Sequence, residues 1–201
     1  MPPSFWRVKA PSTKASILNF DLQRALRRID PQRAIKSRIC NELDYVGEKV
    51  DVGRQLLLDT CVYIDILQGS LPQAAKSLLD ARLINHSTVC LCELTHLFGR
   101  LDLDHPGTKA ALEEISGVIL DIPAHRLNAP SPQVCGEAGM LSGTVERARS
   151  SREDSRCALV NDATIFLQAL EQGQTVLTRN LRDFSLLLTS APSGRVLFYR
   201  T

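Results

Sequence analysis

From about Lys14 the apolar residues recur at three- and four-residue steps, through Ile17, Leu18, Leu22, Ala25, Leu26 and Ile29, until Pro31 interrupts. That spacing predicts a helix. The same steps through Ala34, Ile35, Ile39, Leu43 and Val46 predict a second one over 32–50. Residues 1–13, with three prolines and no period, read as a loose tail, so residues 1–50 form a helical hairpin extension ahead of the main domain. Beyond it, short apolar runs alternate with amphipathic stretches. Strands are expected at 55–58, 87–91, 118–122, 174–177 and 195–199. Helices are expected at about 60–69, 72–82, 93–103, 107–117, 132–150, 159–172 and 181–188. Strands separated by helices predict an α/β domain over 51–201 whose parallel sheet is covered on both faces. Gly173 stands where a helix ending before a strand needs it.

Composition narrows this picture. A chain of 201 residues with 44% apolar content can bury one good core. Its apolar runs are too short for a membrane span, and the N-terminus lacks the apolar stretch of a signal peptide. Six cysteines, at 40, 61, 90, 92, 135 and 157, are too sparse for a disulfide scaffold and sit mostly in apolar stretches. They read as buried thiols of a cytoplasmic protein. Cys90 and Cys92 with His96 make at most half a zinc site, since no second pair follows. On the strand expected there the two thiols face the same way, which suits packing. "CELTH" lacks the first histidine of a metalloprotease motif.

Charge is uneven. Residues 1–40 hold nine Lys and Arg against Asp21 and Asp30, a balance of +7, so the rest of the chain carries −5 within a total of +2. A basic arm on an acidic body is the result. The helical spacing puts Lys14, Arg24, Arg27 and Arg28 mainly off the apolar column, where they can face a phosphate backbone. A solvated face, or docking of a protein partner or a second protomer, are the competing uses of the arm.

The acids of the body carry the chemistry. Asp59 follows the first expected strand, Glu93 the second and Asp183 the fourth, and strand C-termini share the ligand-binding edge of a parallel sheet. Asp162, in "LVNDATIFLQAL", shares a side with Ile165, Phe166 and Ala169. Each acid has a local explanation: Asp59 or Thr60 as a helix cap, Glu93 in a first turn, Asn161 or Asp162 as a cap, Asp183 in solvent. Four carboxylates at one edge nonetheless call for a cation, and all-oxygen ligands suit Mg²⁺ or Mn²⁺. Ser87 and Ser185 have no candidate base beside them, which argues against a serine hydrolase.

The segments "LLLDTCVYID", "STVCLCELTHLFGR", "LVNDATIFLQALEQGQTVLTRNLRDF" and "RVLFY" resemble the PIN-domain ribonucleases, and within them the VapC-type toxins of bacterial toxin–antitoxin modules. The resemblance covers residues 55–201 and implies a PIN-like parallel sheet flanked by helices. It implies Asp59, Glu93 and Asp162 as the acidic metal-binding set, with the fourth place filled by Asp183, Asn180 or both. Thr60 and Thr178 are the supporting hydroxyls. Cys61 stands where the family usually has Asn. The activity implied is Mg²⁺- or Mn²⁺-dependent endonucleolytic cleavage of RNA, with a cognate antitoxin as partner. The alternatives are a nucleic-acid-binding module of the same fold without catalysis, and a receiver-like domain, against which "TVLTRNLRDF" argues.

Overall fold

The structure, a computed structural model, describes residues 19–29, 43–47, 53–102, 104–148 and 156–201. Among them five strands, β1 (Leu56–Leu58), β2 (Ile84–Ser87), β3 (Leu127–Asn128), β4 (Thr175–Thr178) and β5 (Val196–Phe198), form one sheet in the order β3-β2-β1-β4-β5. Every pairing is parallel. The helices are α1 (Leu22–Arg28), α2 (Thr60–Leu67), α3 (Gln73–Ala81), α4 (Thr88–Arg100), α5 (Thr108–Leu120), α6 (Pro132–Ala148), α7 (Arg156–Glu171) and α8 (Leu181–Ser190). The central strands β1 and β4 are buried at every residue, which is why they read as continuous apolar runs rather than alternating ones. Gly173, at φ +68°, turns the chain from α7 into β4. Among the described residues no helix is long and apolar enough to cross a membrane.

Two expected strands are helix instead. Residues 88–91 begin α4, and the strand lies just before them, in Ile84–Ser87. Its inward residues are polar. Asn85 bonds the Leu56 carbonyl at 3.3 Å and Gln55 at 2.9 Å, and Ser87 bonds Gln168 at 2.7 Å. A strand whose buried side chains are an amide and a hydroxyl gives no hydrophobic period. The apolar run "VCLC" supplies the core side of α4, where Cys90 and Leu94 are buried while Cys92 is exposed. The two thiols therefore do not face the same way. Residues 118–120 close α5, leaving Leu120 83% exposed, and the third strand comes later as the two-residue β3 behind a 3-10 turn at Ala124–Arg126.

Helix α1 is capped by Asp21 and lies against α6 through Ala25 and Ile29, both buried. Gln133 of α6 accepts from the Asp21 N–H at 2.7 Å and donates to its carbonyl at 3.2 Å. Arg28 pairs with Glu137 at 2.7 Å. At Gly136 a Cβ would run into the Phe20 ring, so the absence of a side chain there allows the close approach. Leu22 and Leu26, members of the apolar column, remain exposed, whereas Ile29 of the same column is buried.

The helix expected over 32–50 does not run through 43–47. That stretch is extended and bridges the outer edge of β5, Val46 N–H to the Phe198 carbonyl and Phe198 N–H to the Asp44 carbonyl, each at 2.8 Å. The unpaired backbone groups of an edge strand favour this conformation over a helix. Residues 30–42 and 48–52 and Lys14 lie outside the described residues.

Candidate active site

Strand β1 ends at Leu58 and α2 begins at Thr60, so Asp59 is both the exit of the strand and the N-cap of the helix. Its Oδ1 accepts from the Thr60 N–H at 2.7 Å. Its Oδ2 accepts from the Thr178 hydroxyl at 2.6 Å and from the Cys61 thiol at 3.0 Å. Capping therefore uses one carboxylate oxygen, while the other faces the end of β4. Asp59 is only 4% exposed. Burial raises its pKa above the ordinary 3.8, and the negative charge of Glu93 adds to the rise against the lowering by Cys61, Thr178 and Thr60.

Hydrogen bonds run outward from Asp59 in two directions. On one side the Thr60 hydroxyl bonds Glu93 of α4, and the Asn161 amide holds the other Glu93 oxygen at 2.7 Å. On the other, Thr178 accepts from the Asn180 N–H at 2.9 Å. The Asn180 amide then donates to Asp162 of α7 at 3.0 Å and to Asp183 of α8 at 3.2 Å. Asn180 is also the N-cap of α8, its carbonyl oxygen accepting from the Asp183 N–H at 3.2 Å. Asp59, Glu93, Asp162 and Asp183 thus belong to one network at the C-terminal edge of the sheet. Asp162 reaches it from within α7, which begins at Arg156, earlier than the sequence pattern indicated.

Cys61 sits beside these groups. Its sulfur accepts from the Arg179 N–H at 3.4 Å and lies 3.4 Å from the Thr178 hydroxyl. Burial, with Asp59 adding, pushes the thiol far above its usual pKa, so it serves as a neutral donor. Arg179 turns away to Asp65, which is 2% exposed, and bonds it through Nε at 2.8 Å. Tyr199 bonds the same carboxylate at 2.6 Å.

Asp59, Thr60, Glu93, Asp162, Thr178, Asn180 and Asp183 are brought together by this arrangement. Arg24, Arg27 and Arg28 stand apart on α1. Arg24 and Arg27 are exposed, whereas Arg28 pairs with Glu137. In the sequence Asn161 reads only as a cap, and its place beside Asp162 in "LVNDAT" is the available signal for its bond to Glu93. Among the described residues no three acids, histidines or cysteines converge closely enough to hold a metal ion as they stand. Neutral amides and hydroxyls separate the carboxylates, reducing their repulsion. Oxygen-rich donors of this kind fit a hard divalent cation.

Together these features define an α/β domain of PIN-like fold with an acidic network at its ligand-binding edge. No protein-family model matches the chain, and no curated protein matches it in sequence. Among solved structures, it is similar to a chain of VapBC2 from Rickettsia felis bound to a DNA fragment from its promoter. The TM-score is 0.50 and the identity 15%, over 73% of this chain and 99% of that one. A chain of DNA-bound VapBC from Salmonella typhimurium matches with TM-score 0.48 and 20% identity, over 72% and 97% of the two chains. A chain of FitAcB from Neisseria gonorrhoeae matches with TM-score 0.49 and 19% identity, over 71% and 96%. The likeness to the first is one of fold, as the resemblance to VapC-type PIN toxins implied.

Proposed function

We propose that the protein is a metal-dependent endoribonuclease acting in the cytoplasm as the toxin of a toxin–antitoxin pair. The observation that carries this reading is the continuous hydrogen-bonded path Glu93–Thr60–Asp59–Thr178–Asn180–Asp162, branching to Asp183, at the edge where parallel sheets bind ligands. Asp59, Glu93, Asp162 and Asp183 would hold Mg²⁺ or Mn²⁺. Asn180 is neutral and its carbonyl oxygen already accepts from the Asp183 N–H, whereas Asp183 brings a charged carboxylate, which favours Asp183 as the fourth ligand. When bound, the cation would polarise the scissile phosphate and lower the pKa of a water molecule.

The chain's own groups orient the acids. Thr178 fixes the inner oxygen of Asp59, Asn161 fixes Glu93, and Asn180 spaces Asp162 from Asp183. Burial of Asp59 disfavours its bare charge, so the site favours an added cation. An antitoxin partner is supported by the fold shared with a chain of VapBC2. A partner's cationic side chain would complement the acidic edge.

The test is cleavage of a mixed RNA pool with Mg²⁺ or Mn²⁺. Asp59→Asn and Asp162→Asn should each lower the rate at least ~100-fold, because a ligand change removes several kcal/mol of charge stabilisation and each ~1.4 kcal/mol is tenfold. Ala variants separate this from capping, which Asn also performs. Retained activity in either Asn variant sinks the metal-site reading. A wild type that binds RNA but leaves it intact would instead make the protein a binding module without catalysis.

A further inference from the structure

Beside the acids, at the end of β5, lies a groove of about 360 Å³ lined in part by Tyr45, Arg179, Tyr199 and Arg200. The acidic network does not use it. It opens on the same sheet edge, since the Tyr199 N–H bonds the Thr178 carbonyl at 3.1 Å. Arg179 is the residue between Thr178 and Asn180, both members of the acidic network.

Two features prepare this groove for a nucleic-acid strand. Arg179 is held through Nε by buried Asp65 at 2.8 Å, yet 41% of its side chain is exposed. The guanidinium is thus oriented without being covered, which limits the ordering cost of meeting an anion. Arg200 lies over the Tyr45 ring, 4.3 Å from its centroid. A guanidinium held over an aromatic ring forms, with that ring, a platform on which an unpaired base can stack. The Tyr45 ring in turn packs on Phe198 at 5.9 Å, anchoring the platform to β5.

An acidic edge repels a polyanion, so RNA needs cations close by to enter it. We infer that this groove is the subsite holding the RNA strand next to the bond to be cut, with Arg179 meeting a backbone phosphate and the Arg200–Tyr45 pair stacking a base. This rests on the nuclease reading for its substrate and deepens it. It also gives residues 43–47, which lie outside the segments resembling PIN nucleases, a direct part in substrate binding.

The test uses the full chain carrying Asp59→Asn, in EDTA, with a labelled single-stranded RNA oligonucleotide titrated at several salt concentrations. Reading binding in a metal-free, inactive background separates this inference from the nuclease proposal, which is judged by cleavage alone. Arg200→Ala and Tyr45→Leu should each weaken binding about tenfold, as loss of a base-stacking partner does. Arg179→Gln, which can still donate to Asp65, should flatten the salt dependence by about 0.7, the slope of one single-strand phosphate contact. Melting temperatures of all three variants verify folding, and Arg200 is exposed at the surface. Wild-type affinity in Arg200→Ala and Tyr45→Leu, or an unchanged slope in Arg179→Gln, overturns the inference. So does loss of a protein partner's binding with RNA affinity intact, which would make the groove a peptide site.

Discussion

Glu137 in α6 and Asp59 at the end of β1 are both carboxylates taken almost wholly out of water, 0% and 4% exposed, but their surroundings differ in charge. Glu137 receives Arg28 of α1 on one oxygen at 2.7 Å and Gln133 on the other at 2.8 Å. Asp59 receives a backbone N–H, a hydroxyl and a thiol, all neutral, and has Glu93 near enough to disfavour its charge. A buried carboxylate with its own cation joins two pieces of chain. One surrounded by neutral donors and another acid has no cation of its own, which is the condition the proposed metal site needs. The first region therefore serves the fold, and the second suits the proposed site.

The largest effect on stability should come from removing the cation in the first region. Arg28→Ala leaves Glu137 buried without a countercharge and should cost about 3 kcal/mol. Urea unfolding at neutral pH measures it, and Arg28→Ala combined with Glu137→Leu should recover most of the loss. A cost within error of zero would mean that α1 does not depend on this pair.

A smaller effect of opposite sign is expected in the second region. Without metal, Asp59→Asn should raise the melting temperature, since Asn keeps the cap and removes a disfavoured charge. Asp59 has a folded pKa above 3.8, so its contribution to stability is fully present below 3.8 and is lost as pH rises through the folded value. The gain from Asn should be absent well below pH 3.8 and reach its full size above the folded pKa. A gain independent of pH would assign it to something other than the carboxylate. Saturating Mg²⁺ should reverse the order of stability, because only the wild type retains the full ligand set.

The smallest effect belongs to the exposed cations of α1. Arg24→Ala and Arg27→Ala should leave stability within about 0.5 kcal/mol, as surface changes usually do. If the basic arm contacts RNA, each should flatten the salt dependence of binding by up to about 0.7. An unchanged slope in the double variant leaves Arg24 and Arg27 as solvated charges.

Much of the architecture was legible because it follows local rules. β1 and β4 are central and buried on both faces, so each is a continuous apolar run. α6 and α7 are long enough for their helical period to be plain, although α7 starts at Arg156, three residues before its apolar pattern does. β2 and β3 were not legible, because one buries Asn85 and Ser87 and the other has only two residues. The apolar run beside β2 belonged to a helix. Glu93 still reached the sheet edge, because α4 follows directly on β2.

The sequence by itself determined which residue types stand at the strand exits: an acid after "LLL", and Thr, Asn and Asp in "TRNLRDF". It also determined the basic charge of the first forty residues. Only the tertiary structure decided how those charges are used. Arg28 meets Glu137 only once α6 packs on α1, across 109 positions in the chain. Tyr45 reads as part of a helix until β5 offers its open edge. Partners so distant in sequence leave no local period, because the pairing arises from packing and from backbone groups that must find a bond.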